Sequence, residues 1–353
     1  LFRHVVDLAR GQAKLGHCVG LIVDAAPGSA RSEATLATLA FELVHGVVRV
    51  PMGRHLGFDD LAAQRAVLLQ RQTCEADVVH GHGAKGGAYA RLLSRGHAIR
   101  VYTPHGGSLH YRRTSAIGLF YLTLERVLAR RTDLLLFESE YSRDVFNLRV
   151  GKPRCLVKVV HNGVTESEFA PVLPDDDASD LLFIGELRML KGVDVLIDAI
   201  ATLAQRGRFV TATIVGEGPD AERFKAQARE AGLGDRVKFA GALPARTAFT
   251  KGRVLIVPSR AESLPYVVLE AGAAGIPLIA TDVGGIKEIF GPQAPSLVPA
   301  NDSVRLAEAI QSALVDLAAA RLSANHLQAR IRAGFSSDTM TAQVVAAYAE
   351  ALG

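Results

Sequence analysis

Short apolar runs alternate with stretches of helical period along the whole chain. In the first half the runs at 19–23, 47–50, 77–80, 100–103, 134–137 and 157–160 read as strands, with helices at 2–15, 60–74, 87–95 and 115–130 between them. The second half repeats the rhythm, with strands at 181–184, 211–215, 237–239, 254–257, 277–281 and 296–298. Its helices fall at 193–206, 221–231, 266–274 and 304–320. Strands that are near-continuous in Val, Ile and Leu belong to sheets covered on both faces. Strand–helix alternation of this kind builds parallel α/β layers. The expected fold class is therefore α/β, with two doubly wound Rossmann-like domains facing a cleft at the carboxyl ends of their strands.

The stretch 165–180 holds Pro171, Pro174 and the acidic run 175–177 without a clear period, and reads as a linker. It divides an N-terminal domain, 1–165, from a C-terminal one, 166–335. A break at Gly334 and Phe335 sets off residues 336–353, whose helix at 339–352 is free to cross back to the first domain. The helix at 2–15 has no strand before it, so the first strand and its glycine loop are expected to be missing from the sequence.

Composition narrows the class. A chain of 353 residues that is 49% hydrophobic and 22% charged is a soluble globular protein large enough for two cores. Cys18, Cys74 and Cys155 are far apart and odd in number, which excludes a disulfide framework or a zinc cluster of cysteines and points to a reducing, cytoplasmic setting. No apolar run reaches the roughly 18 residues of a membrane span, and no secretory leader pattern opens the chain. The net charge of +4 hides an asymmetry. Residues 1–165 carry 22 basic and 13 acidic side chains, a net +9, and the rest a net −5. Between Asp77 and Glu125 there is no carboxylate, while Lys85, Arg91, Arg95, Arg100, Arg112 and Arg113 lie there. Either this half meets an anionic partner or it is a solvated basic face.

Gly81, Gly83 and Gly86 form a G-x-G-x-x-G between a strand and a helix, but no acidic residue follows about 20 positions on, so a tight turn is the better reading than a nicotinamide site. Phosphate-loop, zinc-protease and nucleophile-elbow motifs are absent from the sequence. His105, in Thr-Pro-His-Gly-Gly at a strand's carboxyl end, is placed for proton or hydrogen-bond exchange, with Gly106 and Gly107 allowing close approach of a ligand. His80 and His82 have no carboxylate or cysteine near them in sequence to complete a metal site, and no metal is expected. Arg188 and Lys191 lie in a Gly-rich turn just before a helix, where cations make electrostatic sense if a phosphate sits between them and the helix N-terminus. Gly216 and Glu217 form a second such turn. The segment from Pro258 to Ala271 ends a strand, carries Glu262, Ser263 and Leu264 on a loop, and opens a helix at Pro265. Glu270 lies inside that otherwise apolar helix, where a carboxylate needs a partner or a ligand.

The Glu262/Glu270 pair with seven residues between them, the following IPLIATDVGGIKEI, and the ordered set DVVHGHG, YTPHGG, ESEYSR, VHNGV, IGELRMLKG and VGEGP resemble the retaining glycosyltransferase family 4, also called glycosyl transferases group 1, of GT-B fold. The likeness spans the chain. It implies a C-terminal domain that binds a nucleotide-diphosphate sugar, with Glu262 on the sugar hydroxyls, Glu270 on the ribose, and Arg188 and Lys191 on the diphosphate. Gly216, Glu217, Ser263, Leu264 and Pro265 would border the donor. His105 would contact the sugar, and Gly106 and Gly107 would lie on the acceptor side. The family often has arginine directly after Gly185, where this chain has Glu186; Arg188 is taken to carry that charge. The resemblance implies transfer without metal or other cofactor to a sugar or lipid-linked acceptor, in cell-surface polysaccharide or glycolipid assembly. The partners expected are the nucleotide sugar, the acceptor and an anionic membrane surface, reached through the apolar helix 115–130 with its flanking arginines, including Arg130 and Arg131, and no nucleic acid. A nucleotide-sugar epimerase of the same fold and a non-catalytic nucleotide-sugar-binding module are the alternatives.

Overall fold

A computed structural model describes residues 1–53, 57–94, 96–106 and 115–353. Gly107, Arg95, Arg112 and Arg113, singled out above, lie outside the described residues. The chain divides into two compact units, Leu1–Gly163 with Ser337–Gly353, and Val164–Ser336. In the first, the elements run α1 (Phe2–Lys14), β1 (Leu21–Asp24), α2 (Ala30–Glu42), β2 (Val47–Val50), α3 (Asp59–Thr73), β3 (Val78–His82), α4 (Gly83–Leu92), β4 (Ile99–Thr103), α5 (Ala116–Ala129), β5 (Leu134–Phe137), α6 (Glu140–Arg149) and β6 (Leu156–Val159). The second holds β7 (Ser179–Ile184), α7 (Val193–Gln205), β8 (Ala212–Val215), α8 (Ala221–Glu230), β9 (Val237–Gly241), α9 (Ala245–Phe249), β10 (Gly252–Val257), α10 (Tyr266–Ala273), β11 (Leu278–Ala280), α11 (Ile286–Phe290), α12 (Ser303–Val315) and α13 (Leu317–Gly334). The helix α14 (Ser337–Leu352) returns to the first unit.

Unit 1 contains a two-stranded parallel sheet, β1-β2, and a four-stranded parallel sheet in the order β3-β4-β5-β6. Leu134 and Leu136 of β5 face one core, shared with Leu8 of α1 and with Met340 and Val344 of α14. Leu135 and Phe137 face the other, with Tyr102, Leu122 and Phe146. Both faces are covered, which is why the strand reads as an unbroken apolar run. The G-x-G-x-x-G turn is a packing device: a side chain on Gly81 would meet the Gly86 carbonyl oxygen at 2.2 Å, so β3 and α4 approach closely there.

Unit 2 is a five-stranded parallel sheet in the order β11-β10-β7-β8-β9. Leu181, Phe183, Val254 and Ile256 pack against α7 and α12 through Leu196, Ile200, Leu306 and Ile310. The alternate residues Leu182, Leu255 and Val257 pack against α10, α11 and α13 through Leu269, Ile289 and Ile331. The sheet is therefore doubly wound. From β7 the chain runs outward to β8 and β9, then returns to add β10 and β11 on the other side. The strand order thus reverses between β7 and β10, and ligands of such sheets bind at that point, outside the carboxyl ends.

Three expectations are corrected. The run 296–298 is not a strand; a single bridge, Thr281 to Val298, is what it makes. The helix expected at 304–320 is two helices, because Asp316 leaves the helical conformation and its side chain accepts the Ala319 N–H at 2.9 Å to cap α13. The stretch 165–180 is not a linker but the start of unit 2. Thr165 and Glu168 form a capping box, Phe169 is buried in the core beneath the Arg332 guanidinium at 4.0 Å, and Asp175 pairs with Lys251 at 2.6 Å.

Candidate functional site

Four loops leave the carboxyl ends of adjacent strands in unit 2: 185–192 after β7, 216–220 after β8, 258–265 after β10 and 281–285 after β11. Most of the donor-side residues expected from the sequence sit on them. The loops are tied to each other rather than left to solvent. Lys191 Nζ donates to Glu262 Oε1 at 2.7 Å, bridging the β7 and β10 loops across the reversal point, and Ser259 Oγ donates to the same oxygen at 2.7 Å. The Glu262 side chain is 10% exposed and that of Lys191 28%, so the pair is sheltered but reachable.

Arg260 makes the second tie. Its Nη1 and Nη2 donate to Asp194 Oδ1 and Oδ2 at 2.8 and 2.6 Å, its Nη1 also donates to the Met189 carbonyl, and its backbone N–H donates to the Leu190 carbonyl at 2.8 Å. The Asp194 carboxylate raises the guanidinium pKa further above its ordinary range. Arg260 was not singled out from the sequence; its partners on the β7 loop and α7 lie some 70 positions before it and Asn301, to which its Nε donates, lies 41 positions after it, and no local pattern signals them.

The β11 loop closes on the β10 loop by Thr281 Oγ1 donating to the Ser259 carbonyl at 2.6 Å and Gly285 N–H donating to the Ser263 carbonyl at 2.8 Å. Gly284 has φ +58°, and a Cβ there would lie 1.6 Å from the Glu262 carbonyl oxygen, so this contact demands glycine. The β8 loop is held to the β7 loop by Leu187 N–H donating to the Glu217 carbonyl at 2.9 Å and Met189 N–H donating to Asp220 Oδ2 at 2.8 Å.

Of the expected residues, Lys191 and Glu262 are in direct contact. Ser263, half-buried, and Leu264, buried, lead into Pro265, which caps α10 rather than opening it. Glu270 lies half-buried in the second turn of α10. Gly216 follows β8 and its N–H donates to the Gly241 carbonyl at 2.8 Å, with Glu217 beside it exposed. Arg188 stands on the outer side of its loop, half-exposed, with its ion pair to Glu186 at 3.7 Å rather than to the Lys191–Glu262 pair. The residue expected to replace the family arginine is thus partly neutralised by the glutamate that displaced it.

In unit 1, His105 follows β4 with a left-handed backbone, φ +51°, and Gly106 continues the turn at φ +78°. His105 belongs to a cluster that the sequence did not assemble. His82 Nδ1 lies 3.1 Å from His105 Nε2, the His4 ring centroid is 4.7 Å from that of His105, and the rings of His80 and His82 are 3.9 Å apart. His4 Nδ1 donates to Asn162 Oδ1 at 2.9 Å, and His80 bonds Tyr348 Oη at 2.6 Å and Thr103 Oγ1 at 2.8 Å. Burial holds His4 down at about 4, with the Asn162 hydrogen bond opposing it. Burial first, and repulsion between neighbouring rings second, hold His80, His82 and His105 well below the usual imidazole range.

The unfolded chain protonates His4 near about 6.5, the folded one near 4, so between these values the folded state binds fewer protons. The stability from the neutral ring is complete above pH 6.5 and is lost as pH falls toward 4, amounting to about 3 kcal/mol for His4. Urea unfolding followed between pH 7.5 and 5 is expected to show this loss in the parent and a flatter curve in His4→Gln. Parallel curves for the two would contradict it.

No helix among the described residues is long and apolar enough to cross a membrane. Residues 164–328 match the family model for glycosyl transferases group 1, and residues 1–168 match that for glycosyltransferase family 4. The chain is 30% identical over 282 residues to a glycogen synthase of Mycobacterium tuberculosis, covering 76% of this chain and 68% of that one. It is 27% identical over 344 residues to a 2-deoxystreptamine glucosyltransferase of Streptomyces kanamyceticus, covering 88% and 89%. Among solved structures, a sucrose-phosphate synthase from Thermosynechococcus elongatus is similar with TM-score 0.80 at 22% identity, over 99% of this chain and 92% of that one. The HepE protein of Anabaena in complex with UDP-glucose is similar with TM-score 0.80 at 22% identity, over 99% and 95%. The doubly wound units are thus those of the GT-B fold, and the chain belongs to the glycosyltransferase family known as glycosyl transferases group 1.

Proposed function

We propose that the chain transfers a sugar from a nucleotide-diphosphate sugar to an acceptor hydroxyl with retention of configuration. The observation that carries this reading is the Lys191–Glu262 pair, set across the strand-order reversal at the carboxyl edge of unit 2. That edge offers an ammonium for a diphosphate and a carboxylate for sugar hydroxyls 2.7 Å apart. The first N–H groups of α10 lack intrahelical acceptors and favour negative charge. When the glycosidic bond to the diphosphate breaks, charge grows on the leaving oxygen, and fixed positive groups there stabilise the transition state. Lys191 and the helix end supply these groups without a metal, with Arg188 joining once the diphosphate draws it from Glu186. Glu270, deeper in α10, is assigned to the ribose. The UDP-glucose complex of the HepE neighbour supports a nucleotide sugar as donor.

A thermal-shift screen of nucleotide sugars tests the reading, because a ligand bound by the folded state alone raises the melting temperature. At least one donor is expected to raise it, and transfer to a hydroxyl acceptor by that donor to follow; no response to any would refute it. Conversion of the donor without an acceptor would instead mark an epimerase, and binding without turnover a non-catalytic module. Glu262→Gln keeps the shape but loses the charge that Lys191 and sugar hydroxyls share. A drop in kcat/KM of about 10- to 100-fold is expected, since hydrogen bonds to charged groups are worth about 1.5–3 kcal/mol. Unchanged turnover and donor selectivity would remove Glu262 from the sugar.

For the acceptor we propose a lipid-linked sugar at an anionic membrane surface, met by α5. Ile117, Leu119, Phe120 and Val127 on its outer face are all about half exposed or more, while Leu122 and Leu128 face the core. Arg131 is not available for lipid, because it donates to the carbonyls of Arg91 and Leu93. Sedimentation with anionic liposomes at low salt, weakened by Phe120→Ser, is the expected result; equal sedimentation with neutral liposomes would count against a charged surface.

A further inference from the structure

The histidine cluster of unit 1 exceeds what one sugar contact requires. α1 contributes His4, the end of β3 contributes His82, and the loop after β4 contributes His105. One ring nitrogen from each lies within 4.8 Å of the others. We propose that His4, His82 and His105 form a binding site for one divalent transition-metal ion of the zinc class, held by one ring nitrogen from each residue, with a fourth position open to water.

Zinc–nitrogen bonds of about 2.0–2.1 Å in a tetrahedral site place ligand nitrogens about 3.4 Å apart. The His82 Nδ1 to His105 Nε2 separation, 3.1 Å, already has this size. The widest separation exceeds it by about 1.4 Å at most. His4 is prepared as a ligand. Its Nδ1 proton is committed to the buried Asn162 Oδ1, which leaves the lone pair on Nε2 and fixes the ring, the arrangement that orients histidine ligands in metal sites. His80 is not a ligand, because both its nitrogens are engaged by Tyr348 and Thr103; it braces the His82 ring instead. A donor set of imidazoles without carboxylate suits zinc, nickel or copper and disfavours magnesium and calcium, which take oxygen ligands. All three ligands belong to unit 1, so the site is independent of the donor-binding reading of unit 2.

The full chain, stripped of metal with a chelator and freed of it, is titrated with zinc sulfate against a chromophoric competitor, and with cobalt chloride followed by visible absorption. Expected are one zinc bound per chain, and a cobalt spectrum with the intense bands of a tetrahedral site. His4→Ala, His82→Ala and His105→Asn each are expected to weaken zinc at least tenfold. Asparagine is chosen at 105 because it tolerates the left-handed backbone found there. Replacement of the exposed His17 and His326 by alanine is expected to leave the affinity unchanged. Circular dichroism reports folding of each variant; should a core variant fail to fold, His105→Asn on its loop decides alone. Absence of zinc uptake in the micromolar range, or uptake that His105→Asn does not weaken, overturns the proposal and leaves the cluster as a hydrogen-bonded packing of neutral rings.

Discussion

Lys191→Ala is expected to lose about a hundredfold in kcat while unfolding within a degree or two of the parent. The two readouts separate because one ammonium does two jobs of unequal weight. In the free protein it pairs with Glu262 at 2.7 Å, with its side chain 28% exposed, and partly solvated pairs contribute about 0–1 kcal/mol to stability. Glu262 keeps Ser259 as a partner when the lysine is gone. Under the proposed transfer the same ammonium faces a leaving diphosphate whose charge is growing, and removal of one such group costs about 2.7–4 kcal/mol. A factor of a hundred is the lower end of that range. Lys191→Ala within threefold of the parent in kcat would end the assignment of this residue to the diphosphate. A large fall in melting temperature with proportionate loss of activity would show that the pair is structural.

Glu125→Ala is expected to destabilise unit 1 by about 3–5 kcal/mol, the usual penalty for stranding one member of a buried ion pair. Arg91 is fully buried, with Nη1 donating to Glu125 Oε2 at 2.8 Å and Nε donating to the Gly87 carbonyl at 2.8 Å. Its guanidinium lies 3.7 Å from the centroid of the Tyr102 ring, and the Tyr102 hydroxyl donates to Glu125 Oε1 at 3.0 Å. Alanine at 125 would remove the carboxylate to which the buried guanidinium and the Tyr102 hydroxyl donate. Replacing both charges, as Arg91→Met with Glu125→Leu, is expected to restore most of the stability, because the loss comes from the uncompensated charge rather than from the pair's own attraction. Equilibrium urea unfolding measures both. A loss below about 1 kcal/mol for Glu125→Ala would mean that water reaches Arg91.

The strands were legible because burial on two faces leaves an unbroken apolar run, as in 134–137 and 181–184. The helices α2 and α6 escaped because each buries only two positions, Leu36 and Leu39 in α2 and Ser142 and Phe146 in α6, too few to mark a face. The Thr165–Glu168 capping box was hidden in a proline- and aspartate-rich stretch that reads as irregular. At the carboxyl edge of unit 2, Lys191 and Glu262 were singled out on local strand–turn–helix motifs, and the structure brings the two into contact. Ties between distant segments were not. His4 meets Asn162 across 158 positions and Arg260 meets Asp194 across 66, and periodicity carries no information at that range.

The return of α14 has a consequence for how the molecule is made. Leu8, Val101 and Leu136 pack against Met340 and Val344, so the core of the unit synthesised first is finished by residues translated after the whole of the other unit. At about 5–20 residues per second, the roughly 180 residues between Gly163 and Val344 take about 10–35 s to emerge. Throughout that interval the nascent sheet lacks the part of its greasy cover that α14 supplies, and a chaperone has time to find it.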